Sequence, residues 1–209
     1  MAIGSEFKSS GITANTPKTI MLGAGTIHKN LEFTPGVSGG EGSWNFEESL
    51  ICATSGGSKM SIKPEFYDIP VDGALVKVKG LTVKVGETAI LEINPIELTP
   101  DILKMALIGD SKTSTEATGY SEITSRAIIN EGDYITNLGY AGKTIEGKPI
   151  IIIFDNALCT SGLELEGKNK EAAVPKFTFE CYAPLTPEAD TLPWHVYYVT
   201  PTSEVTDTE

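Results

Sequence analysis

The closely spaced carboxylates of this 209-residue chain are its nearest approach to acid–base chemistry. Hydrolysis by a carboxylate pair needs two acidic groups with different pKa values held across a cleft. The sequence places no pair in a cleft, and acidic surface positions are common at this composition, so we interpret these residues as surface charges. The candidate pairs are Glu47 with Glu48, Glu87 with Glu92, and Glu164 with Glu166.

The histidines and cysteines are few and scattered. His28 and His195 lie in strand-like alternation beside apolar or aromatic neighbours, which favours a surface or packing role over a ligand or general base. Cys52, Cys159 and Cys181 form no C-x-x-C pair, so they are interpreted as small buried hydrophobes of a reducing compartment. We therefore predict no catalytic residue, no metal site and no cofactor.

Two glycine-rich segments have partial phosphate-binding patterns. Gly23-Ala24-Gly25 has the first two glycines of a dinucleotide-binding fingerprint, but the third is missing and a strand pattern follows. Residues 55–59 lack the Gly-Lys-Ser/Thr of a phosphate loop, so turns are predicted for both segments. The chain also has no G-x-S-x-G elbow. These features predict a protein that is not an enzyme.

The charge balance limits the partners. The 28 acidic and 16 basic residues leave a net charge of −12, and Arg126 is the only arginine. The bidentate contacts that sequence-specific DNA binding needs are therefore almost absent. An acidic surface repels the phosphate backbone, which excludes nucleic-acid binding but suits a wall to which DNA does not adhere.

A local basic stripe stands out against this acidic background. It consists of Lys77, Lys79 and Lys84. One interpretation is cross-strand pairing with Glu87 or Glu92 in the same hairpin. The other is a contact with acidic residues of a neighbouring copy.

The elements that must position these residues are mostly short strands punctuated by glycine, proline and Asp-Gly. Alternation over residues 27–33 and 60–66 predicts half-buried strands. Residues 75–85 and 87–94 are predicted to form a hairpin that turns at Gly86. Later strands are predicted at residues 120–129, 134–140, 148–155, 177–182 and 194–200.

One short helix interrupts the strands. Thr99 is a favourable N-cap, Pro100 suits the first helical position, Asp101 suits the helix dipole, and Gly109 ends the helix. A helix of two to three turns must pack on a sheet to be stable. The two candidate packing stripes are Ile102 with Met105 and Ala106, and Leu103 with Leu107.

The remaining segments define the domain organisation. Residues 1–7 contain Gly-Ser-Glu-Phe, the sequence that two adjacent common cloning sites encode when translated. These residues are therefore predicted to be a scar left by cloning for expression. Residues 8–200 are predicted to be one domain, with long polar loops at 34–43 and 111–118. Residues 156–175 fit either a loop or a helical turn, and 201–209 are predicted to be a disordered acidic tail. No apolar run is long enough to cross a membrane, so neither membrane insertion nor secretion is expected.

The order of elements over residues 21–109 resembles the tail tube (major tail) proteins of long, non-contractile-tailed phages and prophages of Gram-positive bacteria. No short diagnostic motif is involved, and the chain from Ser111 onward fits the plan more loosely. The segments that carry the resemblance are GAGTIHKNLEF, GSWNFEESLICATSGGSKMSI, the Asp-Ile-Pro-Val-Asp-Gly turn, KVKGLTVKVGETAILEI and IELTPDILKMALIGD.

The resemblance implies a mainly β protein, a β-sandwich of tail-tube type with one short flanking α-helix and long loops. It implies self-assembly into stacked hexameric rings whose joined inner strands form a barrel with an acidic lumen. The genome would pass through that lumen during ejection without specific binding. Tail tip, tape measure and tail terminator proteins would be partners. The protein would be located in the virion tail, and in the host cytoplasm while the tail assembles. No membrane association is expected.

The resemblance also suggests a role for one loop. Residues 34–43 would be mobile in the free subunit and order against an adjacent ring, with Trp44 either an anchor for that contact or a buried core residue. One alternative function is the tube of a prophage-derived, tail-like bactericidal particle. Another is a β-sandwich module binding carbohydrate or a cell-surface ligand through Trp194, Tyr197 and Tyr198. Alternation places Tyr197 on the opposite strand face from Trp194 and Tyr198. This arrangement favours a strand that packs across a core over a shared stacking platform.

Overall fold

The computed structural model describes residues 10–13, 15–37, 42–186 and 189–199. This part of the chain is mainly β, with thirteen strands, three short α-helices and a 3-10 turn at Glu131–Asp133. The predicted scar at 1–7 and the predicted tail at 201–209 lie outside the described residues, as does part of the 34–43 loop. A single domain over 8–200 stays a prediction.

Two antiparallel sheets make up the body. The first has five strands in the order β13-β10-β9-β1-β4, and the second has four in the order β11-β12-β6-β5. The first sheet contains β1 (Met21–Lys29), β4 (Leu50–Cys52), β9 (Leu138–Thr144), β10 (Pro149–Phe154) and β13 (Trp194–Tyr198). The second contains β5 (Thr54–Asp68), β6 (Thr82–Pro95), β11 (Ala157–Cys159) and β12 (Phe177–Cys181).

Two short strand pairs and three helices complete the described structure. The pairs are β2 (Phe33–Thr34) with β3 (Ser43–Trp44), and β7 (Gly109–Thr113) with β8 (Ser121–Ser125). The helices are α1 (Thr16–Thr19), α2 (Phe46–Ser49) and α3 (Pro100–Leu107). Helices α1 and α2, each a single turn, were not expected from the sequence.

The main core lies between the two sheets. Phe154 of the first sheet and Phe177 and Phe179 of the second are fully buried there, and α3 adds Ile102 and Ala106. Each strand presents alternate side chains to this layer, as the period of two requires. The predicted β-sandwich with a flanking α-helix is confirmed.

A second, smaller core covers the outer face of the first sheet. Leu31, Ala141, Ile151 and Ile153 are buried there beneath Trp44 and Phe46. Strand β10 is therefore covered on both faces, because its other face packs into the sandwich. Double coverage explains why its sequence is a continuous apolar run rather than an alternating one.

The α3 prediction is confirmed at its N-terminus and on its packing stripe. The Ile102 N–H donates to the Thr99 hydroxyl at 3.3 Å, and Ile102 and Ala106 face the core. The helix ends through Ile108, whose φ of 45° is left-handed, and Gly109 already begins β7. A non-glycine residue therefore takes the left-handed capping position.

The predicted hairpin turn at Gly86 is wrong. Strand β6 runs straight through Gly86 and pairs with β5 from Thr54 to Asp68. Gly86 lies opposite Glu65 at a register shift, where a Cβ would approach a Glu65 carboxylate oxygen to 2.9 Å. The strand continues through this glycine, and the chain turns within residues 69–81 instead, where Gly73 has a φ of 87°.

The two glycine-rich segments form bulges rather than turns. Gly23 and Gly25 lie inside β1, and Gly56 and Gly57 inside β5, all with positive φ. Each segment coincides with a register shift of its strand. Left-handed backbone inside a strand requires glycine and shifts the pairing without reversing the chain.

The loop predictions need smaller corrections. Residues 34 and 43 pair with each other, and residues 111–113 belong to β7. Residues 157–159 form β11, and no helix occurs in 160–175. The strand predicted at 27–33 ends at Lys29, because Asn30 has a φ of 58°. The strand predicted at 120–129 is shorter than expected, being 121–125, and the one predicted at 134–140 is shifted by four residues to 138–144.

Candidate functional site

The carboxylate pairs from the sequence do not converge on a cleft. Glu47 and Glu48 are exposed on α2, and Glu164 and Glu166 are exposed in a segment without regular structure. Glu87 and Glu92 both lie on β6, but an odd separation places their side chains on opposite faces of the sheet. No pair has the geometry that shared acid–base work requires.

The β6 carboxylates are held in ion pairs. Glu92 pairs with Lys59 across the sheet at 3.0 Å and also with Lys176. Hydrogen bonds from these two lysines hold the pKa of Glu92 below its ordinary value. Glu87 pairs at 2.9 Å with Lys84 of the same strand.

The basic stripe is therefore only partly explained by local pairing. Lys84 bonds Glu87 as one interpretation expected, although along the strand instead of across it. Lys77 pairs with Asp68, and Lys79 is exposed. Glu92 takes its partners from outside the stripe.

The two histidines have different surroundings. His28 is buried, with Nε2 at 2.7 Å from the Thr26 hydroxyl and Nδ1 at 2.9 Å from the Ser49 hydroxyl. Burial lowers the pKa of His28 because the charged ring would lose its water. His195 is exposed and hydrogen-bonds Asp155 at 2.9 Å. His28 is thus a packed histidine, and His195 lies at a surface cleft described below.

The only arginine of the chain serves as a structural clamp. Arg126 Nη1 donates to Asp110 at 2.7 Å, Nη2 donates to Asp133, and Nε donates to the Ile128 carbonyl at 2.8 Å. The hydrogen bond with Asp133, followed by that with Asp110, raises the pKa of Arg126. The guanidinium joins the β7–β8 hairpin to the turn at residues 131–133, which leaves few of its donors for phosphate.

The cysteines are free and buried, as expected. Burial, aided by Glu97, raises the pKa of Cys52 to about 11. Burial also raises the pKa of Cys181 to about 12, and Cys159 is likewise buried. A thiol that stays protonated at neutral pH is a poor nucleophile.

An aromatic cleft of about 650 Å³ lies on the outer face of the first sheet. The ring of Trp44 packs against Phe33 at 5.3 Å and edge-on against Tyr197 at 5.2 Å, measured between centroids. The sequence suggested Trp44 as a loop anchor or core residue and Tyr197 as part of a carbohydrate-binding surface. The fold brings these two distant residues into contact. We call this surface the aromatic cleft; its lining includes Glu32, Phe33, Trp44, Asp155, Tyr197 and Tyr198.

The proposed stacking platform on β13 is not formed as a unit. Trp194 packs against the core between the sheets, while Tyr197 faces Trp44. The indole N–H of Trp194 is buried without a hydrogen-bond partner among the described residues. The aromatic surface that does form combines β13 with the β2–β3 pair.

A two-stranded ribbon extends from the second sheet. Strand β12 pairs with β6 only over Ile90–Ile93, whereas β5 and β6 remain paired as far as Asp68 and Thr82. We call residues 65–85 the distal arm. Its exposed apolar side chains are Phe66, Tyr67, Ile69, Val71, Leu75, Val76, Val78, Val83 and Val85.

The body also has sheet edges that carry one partner strand. Strand β5, fifteen residues long, pairs on one side with β6, and within the described residues its other side pairs with no strand. Strands β13, β4 and β11 are the remaining edges. Such edges are templates for pairing with another chain.

None of the helices within the described residues has the length and apolar character needed to cross a membrane. No group of three or more His, Cys, Asp or Glu side chains in that part of the chain is placed to hold a metal ion.

No protein-family model matches the sequence, and no curated protein matches it significantly.

Proposed function

We propose that this chain is a structural, non-enzymatic subunit of a phage tail tube. Copies assemble into hexameric rings that stack, and the acidic lumen conducts the genome during ejection. The observation that carries the proposal is the combination of a β-sandwich with a long edge strand and an apolar distal arm. These surfaces fit contacts between copies better than they fit a monomer.

The sheet edges support ring formation. An isolated fifteen-residue edge strand favours uncontrolled pairing, whereas joining sheets edge to edge around a closed ring removes the edges. A repeated head-to-tail contact forms a closed ring when its rotation divides a full turn.

The charge distribution supports passage of DNA without adsorption. The net charge is −12, and the single arginine is engaged by Asp110 and Asp133. A negatively charged wall repels phosphate, so DNA has little electrostatic reason to bind. In this proposal the protein resides in the virion tail after assembly in the host cytoplasm, and its partners are itself and the tail tip, tape measure and terminator proteins.

The 34–43 loop keeps its proposed role in assembly. Its paired ends, Thr34 and Ser43, fix the base of the loop beside Trp44. Trp44 packs on Phe33 and Tyr197 of its own subunit, which favours an intramolecular role for this side chain. Deleting residues 36–42 should leave a folded monomer that forms no tubes, and tubes of normal length would refute this role.

Negative-stain electron microscopy of concentrated protein tests the main proposal. We expect hollow rods or rings, at high concentration alone or after addition of a tail-tip preparation as nucleator. Featureless monomers under both conditions would contradict the proposal. Tubes assembled from the purified chain contain no genome under either hypothesis, so the contents of native particles or the neighbouring genes would distinguish a phage tail from a tail-like bactericidal particle.

A second candidate function is supported by the aromatic cleft. Phe33, Trp44 and Tyr197 together form a concave aromatic surface of the kind that stacks on sugar rings. A carbohydrate or cell-surface binding module would bind a glycan array and lose binding in Tyr197→Ala. An array without signal, alongside assembly of rods, would exclude this candidate.

A further inference from the structure

We propose that the distal arm of one copy inserts its apolar tip into the aromatic cleft of a second copy. This inference rests on the proposed tube function, which it deepens by naming the donor and acceptor surfaces. The occupant of the cleft is thus a second copy of this chain.

The tip of the arm has the character of a donor segment. Leu75 is 97% exposed and Val76 78% exposed, and the pair lies between the Asp72-Gly73 turn and Val78. Exposed apolar side chains grouped on one segment are typical of an interface, because they gain free energy when removed from water. The ribbon that carries them is two-stranded, a form that usually needs further packing to be stable.

The aromatic cleft has the character of an acceptor. It is a concavity of about 650 Å³, within the range of ordinary binding sites. Phe33 and Tyr197 are each about half exposed, so aromatic surface is available at its wall. Trp44 lies between them and contacts both rings, so the aromatic wall is already assembled in the single chain.

Charges on the two surfaces are complementary. The tip carries Lys77 and Lys79, a basic segment in a strongly acidic chain. The cleft lining includes the carboxylates of Glu32 and Asp155, of which Asp155 also hydrogen-bonds His195. Lys77 already pairs with Asp68 but remains 81% exposed, and Lys79 is exposed. Insertion of the tip would therefore bring lysines to a carboxylate rim, which favours orientation and association rate.

The geometry makes the contact head-to-tail. The arm extends from the second sheet, whereas the cleft lies on the outer face of the first. A contact between two different surfaces repeats from copy to copy and yields either a closed ring or a continuing stack. This distinguishes it from an arm-to-arm contact, which would stop at a symmetric dimer.

Two complementary variants test the inference. The arm variant is Leu75→Asp with Val76→Asp, and the cleft variant is Glu32→Lys with Tyr198→Lys. All four side chains are exposed, so both proteins should fold, which circular dichroism and thermal unfolding verify. The matched control is Leu163→Asp with Leu165→Asp, which places two charges on exposed apolar positions that neither line the aromatic cleft nor belong to the distal arm.

Analytical ultracentrifugation over a wide concentration range gives the decisive readout. We expect each variant alone to be monomeric, the control to self-associate as the unmodified chain does, and an equal mixture of the two variants to form a one-to-one heterodimer. The mixture retains one intact arm and one intact cleft, so a single contact survives. Self-association of either variant alone, or a mixture that stays monomeric, would overturn the inference.

The result separates this inference from the tube proposal. Rods or rings formed by the arm variant under electron microscopy would refute arm insertion while supporting the tube. A one-to-one heterodimer from a protein that never forms rings or rods would support arm insertion while refuting the tube.

Discussion

The indole of Trp44 and the phenol ring of Tyr197 meet edge to face, with centroids 5.2 Å apart and an interplanar angle of 63°. The contact joins the β2–β3 pair to β13, the edge strand of the five-stranded sheet. It therefore closes the small core that covers Ile151 and Ile153. One aromatic pair thus serves both as packing for the sheet and as a wall of the aromatic cleft.

The first prediction concerns this pair. Trp44→Ala should lower the free energy of unfolding by about 2 kcal/mol, less than for a fully buried tryptophan, because Trp44 is only partly buried. A double-mutant cycle with Tyr197→Ala should give a coupling of about 1 kcal/mol, typical of aromatic pairs. Urea titration of the four proteins provides the values.

The matched control is Tyr120→Ala, since Tyr120 is 70% exposed on a different hairpin. That substitution should change stability by less than about 0.5 kcal/mol and should not couple to Trp44. Additive effects of Trp44→Ala and Tyr197→Ala would contradict an energetic link between β3 and β13.

The second prediction is a pH dependence caused by His28. Because burial lowers the pKa of His28, the folded protein holds this ring neutral while the unfolded chain takes up a proton below about 6.5. The unfolded state then binds more protons, so stability falls as pH drops from 6.5 towards the folded pKa. The maximum slope from one group is about 1.4 kcal/mol per pH unit.

His28→Gln keeps polar atoms near Thr26 and Ser49 but does not titrate. Its stability should fall less steeply between pH 6.5 and 5 than that of the unmodified chain, because the contribution of His28 is removed. Unfolding measured at half-unit pH steps in both proteins gives the comparison. Parallel curves for the two proteins would show that His28 does not cause the slope.

The sequence predicted the parts of the fold that depend on local chemistry. The α3 helix followed from the Thr99 cap and Pro100, and period-two alternation located most strands. Gly86 was misjudged because a glycine that turns the chain and one that lies inside a continuous strand look alike in sequence. Local patterns do not specify which strand faces which.

The aromatic cleft and the distal arm depend on which strands lie beside or opposite one another, and local sequence patterns do not specify this. Phe33, Trp44 and Tyr197 meet only because β13 reaches the same side of the sheet as the β2–β3 pair. Val83 and Val85 follow an alternation that predicts a half-buried strand, yet they project where no third strand of the sheet extends. Sequence alternation gives the face of a side chain and not whether anything covers it.

The third prediction concerns thiol reactivity. Because burial raises the pKa of Cys52 to about 11 and that of Cys181 to about 12, both thiols are protonated at pH 8. Iodoacetamide should label neither in the folded protein and both in denaturant. Peptide mass spectrometry after timed labelling reports each cysteine separately, and native labelling at the rate of free cysteine would contradict the buried placement.

The fourth prediction tests the cap of α3. The Thr99 hydroxyl accepts a hydrogen bond from the Ile102 N–H at 3.3 Å, and α3 packs Ile102 and Ala106 into the main core. Thr99→Ala should lower the free energy of unfolding by about 1 kcal/mol, the usual cost of losing such a cap. Thr99→Ser keeps the acceptor and should retain most of that stability.

Urea unfolding of these two variants beside the unmodified chain measures the difference. The helix lies on the core between the sheets, so loss of its cap should lower the unfolding midpoint without altering the slope of the transition. A serine variant as unstable as the alanine variant would show that the threonine methyl group, and not the hydroxyl, stabilises the start of α3. The comparison of serine with alanine therefore tests whether the start of α3 is stabilised by the hydrogen bond itself.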